Sequence, residues 1–211
     1  MTKILLTRHG HVEGITPERF RGREPLKLTA RGRAEAAALA QRIAGTWRPR
    51  CIYSSPLGRC VETATAIAKA CGITVQSCDD LNDIDYGAWQ FKTFADAEAQ
   101  DPLLFAAWFA TPHLVRLPNG ETLQDLAARV ADTVRMVLAR HPDETVVLVG
   151  HDSVNRALLL GFLDLPVSAY WRIAQTPCCL NEIAAAGGKF CVERLNETLH
   201  LETVARDHDA R

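Results

Sequence analysis

Two short runs of this chain, KILLT at 3–7 and TVVLVG at 145–150, carry no polar residue between their ends. A strand with one face in water alternates apolar and polar residues, whereas an uninterrupted apolar run must be covered on both faces. Helices packed on both sides of a mostly parallel sheet give that cover. The two runs therefore predict a three-layer α/β fold, with a central sheet flanked by helices.

The segments between them fit this layering. Ala36, Leu39, Ala40 and Ile43 recur at helical spacing, so a helix is expected over 30–44, capped by Thr29 and ended at Gly45. CIYSS at 51–55 reads as a strand, followed by a helix that carries Arg59, Thr63 and Ala66, with Pro56 in its first turn. ITVQS at 73–77 is a further strand. A polar, acidic stretch at 78–90 and a Trp- and Phe-containing region to Pro112 suggest short helices forming a cap-like insertion over about 78–118. Thr122 and Asp125 have capping-box spacing before a long helix whose core face is Leu123, Leu126, Val130, Val134 and Val137. A helix is expected over 153–163, and residues 179–195 alternate around Gly187-Gly188 as a hairpin would.

Length and charge narrow the class of partner. A chain of 211 residues suits a single domain over 1–211. Lys and Arg number 24 against 25 Asp and Glu, which gives no footprint for nucleic acid or a membrane surface. The expected partner is a small molecule; a homodimer is compatible with the sequence and not required by it. Seven cysteines, two of them adjacent and none in a CxxC pair, argue against a disulfide framework and a zinc cage. Neither a metal nor a cofactor is expected. The stretch between Lys3 and Gly10 is too short for the core of a secretion signal, and the expected location is cytoplasmic.

The two apolar strands end alike, one on Arg8-His9-Gly10 and the other on Gly150-His151-Asp152. Ligands of open α/β sheets bind beyond the carboxyl ends of the strands, so both histidines can meet in one crevice. A third strand end adds Arg59. Two histidines and two arginines together suit an oxyanion, because the planar guanidinium matches phosphate or carboxylate. The arginines should also lower the histidine pKa, which favours a neutral ring.

Four ordered motifs, LTRHG, SSPLGRCVETA, LNDIDYGAW and VGHDS, resemble the histidine phosphatase superfamily, which includes the phosphoglycerate mutases, over roughly residues 3–195. The resemblance implies a phosphoglycerate mutase-like fold and a phosphomonoester hydrolase that works through a phosphohistidine on a small phosphorylated metabolite. By the same resemblance His9 is the nucleophile, while Arg8, Arg59 and His151 hold the phosphoryl oxygens. The family takes the proton for the leaving alcohol from a Glu two residues after a Leu and four before a Gly. Here Leu81 and Gly87 frame Asp83, one methylene shorter. Asp85 is the second candidate, Asp79 and Asp80 read as solvated or turn-forming, and an Asx-turn is the structural alternative for Asp83.

Other positions leave the family's pattern. Val12 and Ile15 stand where Ser or Thr and Asn commonly line the phosphate pocket, and Gln90-Phe91 replaces an acidic residue and a Gly. Arg21-Gly22 resembles a loop that borders the pocket, so both are candidate substrate-binding residues. Trp89, Phe105, Trp108, Phe109 and His113 either select the leaving group or pack beneath the cap. Ile84-Asp85-Tyr86 stands where mutases carry an Arg-His-Tyr-type segment, which favours a phosphatase, and VGHDSVNR with the compact length most resembles the broad-specificity and α-ribazole-phosphate phosphatases. The alternatives are a mutase-type phosphotransferase and a phosphate-ligand binding protein without turnover.

Overall fold

The computed structural model describes residues 1–15, 17–202 and 204. Its elements begin with β1 (Thr2–Arg8), α1 (Ala30–Thr46), β2 (Pro49–Ser54), α2 (Gly58–Cys71) and β3 (Val75–Ser77). They continue with α3 (Phe94–Gln100), α4 (Pro102–Ala110), α5 (Leu123–Arg140), β4 (Thr145–Gly150), α6 (Asp152–Phe162), β5 (Leu180–Ala186) and β6 (Lys189–Glu197). The strands form one sheet in the order β3-β2-β4-β1-β5-β6. The first four run parallel, and β5 and β6 are antiparallel to their neighbours.

Pleating explains why the apolar runs are continuous. Leu5, Ile52, Val147 and Val149 point into the cluster made with α1 and α2. Ile4, Leu6, Tyr53, Val146 and Leu148 point the other way, into the cluster with α5, α6 and the segments that precede α5. This is the expected three-layer, mostly parallel α/β fold. The hairpin is present as β5 and β6.

Caps set the helix starts. Thr29 accepts from Gly32 N, and Thr122 and Asp125 form the reciprocal capping box of α5. Two boundaries differ from expectation. Helix α1 runs through Gly45 and stops where Trp47 turns extended, tucking its indole against Glu182. Pro56 precedes α2 instead of entering its first turn; Leu57 is the N-cap, and its N–H donates to Ser55 Oγ at 3.3 Å. No described helix is long and apolar enough to cross a membrane. All seven cysteines are free, and four of them are buried.

Candidate active site

The register of β1 against β4 pairs Arg8 with Gly150. The residues that follow, His9 and His151, therefore leave the sheet side by side although most of the chain separates them. Their rings meet edge to face with centroids 5.2 Å apart. Gly10 is required by close packing: a Cβ there would lie 2.4 Å from the Gly32 carbonyl oxygen in the first turn of α1.

The hydrogen bonds assign each ring its tautomer. His9 Nδ1–H donates to the Gly10 carbonyl at 2.7 Å, which leaves Nε2 as the bare nitrogen. Arg59 Nε donates to that nitrogen at 3.1 Å. His151 Nδ1 accepts from Arg59 Nη2 at 3.1 Å, so its Nε2–H donates to Ser55 Oγ at 2.9 Å. Burial, followed by the charges of Arg59, His151 and Arg8, holds the His9 pKa well below 6.5. Burial, then Arg59 and Arg8, do the same for His151. The arginines act in the expected direction, with desolvation the larger cause. Both imidazoles are neutral at pH 7, as a nucleophile must be.

Arg59 is fully buried and anchored by the loop between β1 and α1. Its Nη2 donates to the Gly22 carbonyl at 2.6 Å and its Nη1 to the Glu24 carbonyl at 2.7 Å. Gly22 thus meets the site through its carbonyl. Arg8 Nη1 donates to the Gln175 carbonyl at 2.6 Å, while its Nε is buried with no partner among the described residues. Gln175 is clamped by a reciprocal amide pair with Asn181 of β5, at 2.9 and 3.0 Å.

Asp83 joins this group and Asp85 does not. Asp83 Oδ2 lies 3.1 Å from Arg59 Nη2 and 3.5 Å from His151 Nδ1. Asp85 instead accepts from Gly87 N at 2.8 Å, the turn-forming role considered for Asp83, and pairs with Arg23 at 3.4 Å. The loop is fixed from α5. Arg129 donates to the carbonyls of Asp80, Asn82 and Asp83 at 2.6, 2.7 and 3.0 Å, and also pairs with Glu121.

A cavity of about 360 Å³ opens beside Arg8. Its wall includes Arg21, Asp152 and Arg156 together with Tyr86, Phe94, Phe109 and Trp171. Arg21 is half-buried and donates to the Gly14 carbonyl at 2.8 Å; burial, then Arg8, lower its pKa. Val12 packs in the core under α1, whereas Ile15 lines the cavity. Among the aromatic residues between 78 and 118, Trp89 and Trp108 are buried packing residues and Phe109 reaches the cavity. His113 does not line the cavity. Sequence reasoning missed Ser153, Arg129, Gln175 and Trp171. Only Ser153 lay inside a motif, and the Asp152–Arg156 pair was visible as an i, i+4 spacing. An apolar groove of about 340 Å³ between α5, α6 and β6 lies away from the histidines. Among the described residues, no three His, Cys, Asp or Glu side chains converge on a metal-binding arrangement.

Comparison with known families agrees with the geometry. The model of the histidine phosphatase superfamily (branch 1) matches residues 4–198. The chain belongs to this superfamily. It is similar to phosphoserine phosphatase 1 of Hydrogenobacter thermophilus, with 31% identity over 95% of each chain. The metal-independent phosphoserine phosphatase of Arabidopsis thaliana is 32% identical over 97% of this chain and 85% of that protein. Among solved structures, Bacillus stearothermophilus YhfR superposes with a TM-score of 0.91 at 30% identity, covering 96% of this chain and all of that one. Family and relatives together make this histidine phosphatase an enzyme that acts on small phosphorylated metabolites.

Proposed function

We propose that His9 Nε2 attacks the phosphorus of a small phosphomonoester in line with the departing alcohol. Arg8, Arg59 and His151 hold the equatorial oxygens, and Asp83 protonates the leaving oxygen as the P–O bond breaks. Water then attacks the phosphohistidine, Asp83 takes its proton, and the P–Nε2 bond breaks to release phosphate. The observation that carries this reading is His9 itself: neutral, with its bare Nε2 accepting from Arg59, whose guanidinium also reaches His151 and Asp83. In-line transfer needs positioned cations around the phosphoryl group, and the two arginines supply them.

For attack, Arg59 exchanges His9 Nε2 for a phosphoryl oxygen. Arg8 and Arg21 line the cavity from which the ester would enter. The short helices between 78 and 118 serve as the cap that selects the alcohol, a role supported by Phe94 and Phe109 at the cavity wall. Phosphoserine is the first substrate to test. Two relatives carry that activity in their names, and the cavity offers Arg8, Arg21 and Arg156 to a carboxylate and Asp152 and Glu18 to an ammonium. Free cysteines, including the exposed Cys191, support a reducing, cytoplasmic setting.

The test is phosphate release from phosphoserine, 3-phosphoglycerate, α-ribazole phosphate and p-nitrophenyl phosphate in the presence of EDTA. Hydrolysis without interconversion of phosphoglycerates is expected, and His9→Ala should lower kcat on the order of 10³-fold or more. If every ester stays intact between mildly acid and neutral pH, or if His9→Ala keeps full activity, the reading fails.

A further inference from the structure

The two oxygens of Asp83 have different surroundings. Oδ2 faces the reaction centre, with Arg59 Nη2 at 3.1 Å and His151 Nδ1 at 3.5 Å. Oδ1 faces α6, where it accepts from Ser153 Oγ at 2.5 Å and from Ile84 N at 2.9 Å. The Ile84 N–H is shared with Ser153 Oγ, 3.3 Å away. A hydroxyl has a single hydrogen to give. Asp83 Oδ1 is the acceptor that the Ser153 hydroxyl finds among the described residues, so its one hydrogen goes to Oδ1. An Oδ1 that accepts from two donors can carry an acidic proton only by losing one of them.

We infer that Ser153 is a positioning residue for the general acid: it reserves Oδ1 as an acceptor and so places the exchangeable proton of Asp83 on Oδ2, facing the histidines. This rests on the reading of Asp83 as the acid. Ser153 is suited to the task because it is 2% exposed and held as the second residue of α6. Its side-chain hydrogen bonds among the described residues are the two to Asp83 and Ile84. In the first step the proton leaves Oδ2 for the alcohol oxygen as the P–O bond breaks and the P–Nε2 bond forms. In the second, a proton of the attacking water returns to Oδ2 as the P–Nε2 bond breaks.

The experiment measures single-turnover release of the alcohol from two small esters. Nitrophenolate leaves without a proton, whereas the alkoxide of glycerol 2-phosphate requires one. Asp83→Asn should slow release from the alkyl ester selectively, which establishes the acid independently. Ser153→Ala should then slow the alkyl ester by roughly tenfold or more while changing nitrophenolate release less than about threefold. Ser153→Thr, which keeps the hydroxyl, should restore the rate, and Ser153→Ala should add nothing in the Asp83→Asn background. Ser153→Gly serves as a second deletion should the alanine variant not fold. A selective Asp83→Asn with a Ser153→Ala that slows both esters equally, or neither, overturns the role of Ser153 and leaves the acid standing. An Asp83→Asn with no selectivity overturns the acid assignment instead.

Discussion

At the scale of the residue, burial governs the chemistry of both histidines. His9 is 2% exposed and His151 fully buried, and each is held neutral with its pKa well below 6.5. A base whose pKa falls on folding binds fewer protons in the native state than in the unfolded one. Its contribution to stability is therefore complete above about pH 6.5 and is lost as pH falls through that value. Urea unfolding should show stability declining between pH 7 and 5, by up to about 1.4 kcal/mol per pH unit for each histidine. His151→Asn should flatten that slope, which urea titrations at several pH values will check. The histidines were legible in the sequence because each directly follows an apolar run. The distinction between Asp83 and Asp85 was not, because both sit in one acidic loop. It is made by Arg59, Ser153 and Arg129, which arrive from α2, α6 and α5.

At the scale of the element, helix starts and loop anchors place Arg59, His151 and Asp83 together. The capping box of α5 was readable from Thr122 and Asp125 because its partners are three residues apart. The anchoring of the 80–83 loop was not, since Arg129 is separated from it by 46 residues or more. Two substitutions on α5 separate these jobs. Thr122→Ala removes the cap and should cost about 1 kcal/mol in stability, read as a lower Tm, while leaving KM unchanged. Arg129→Met removes the donors to three loop carbonyls. It should lower kcat for alkyl esters by roughly tenfold, more than KM changes, because the loop presents Asp83. Equal effects on nitrophenyl and alkyl esters would assign Arg129 a general structural role. The misplaced end of α1 has the same origin as the unread anchors. Gly45 looked like a stop, yet the stop is set by Trp47, whose indole finds Glu182 on β5.

At the scale of the molecule, the sheet is the device that gathers distant segments. Burial of both its faces made its three-layer form readable from two apolar runs, and the parallel register then fixed which strand ends meet. The wall of the cavity was less legible, because it draws on the β1–α1 loop, α3, α4 and the segment before β5. Trp171 belongs to that last segment. It is stacked on Phe109 with centroids 5.1 Å apart and lies under the Arg156 guanidinium at 5.0 Å. Trp47, Trp89 and Trp108 are buried, and none of them lines the cavity. The protein thus carries an optical reporter on the wall of the cavity proposed to receive the substrate. Light emitted by Trp171 should change as a phosphomonoester enters, against a steady background from the other three indoles. A titration with phosphoserine followed by intrinsic fluorescence, compared with Trp171→Phe, will read occupancy in a His9→Ala protein, where no turnover consumes the ligand.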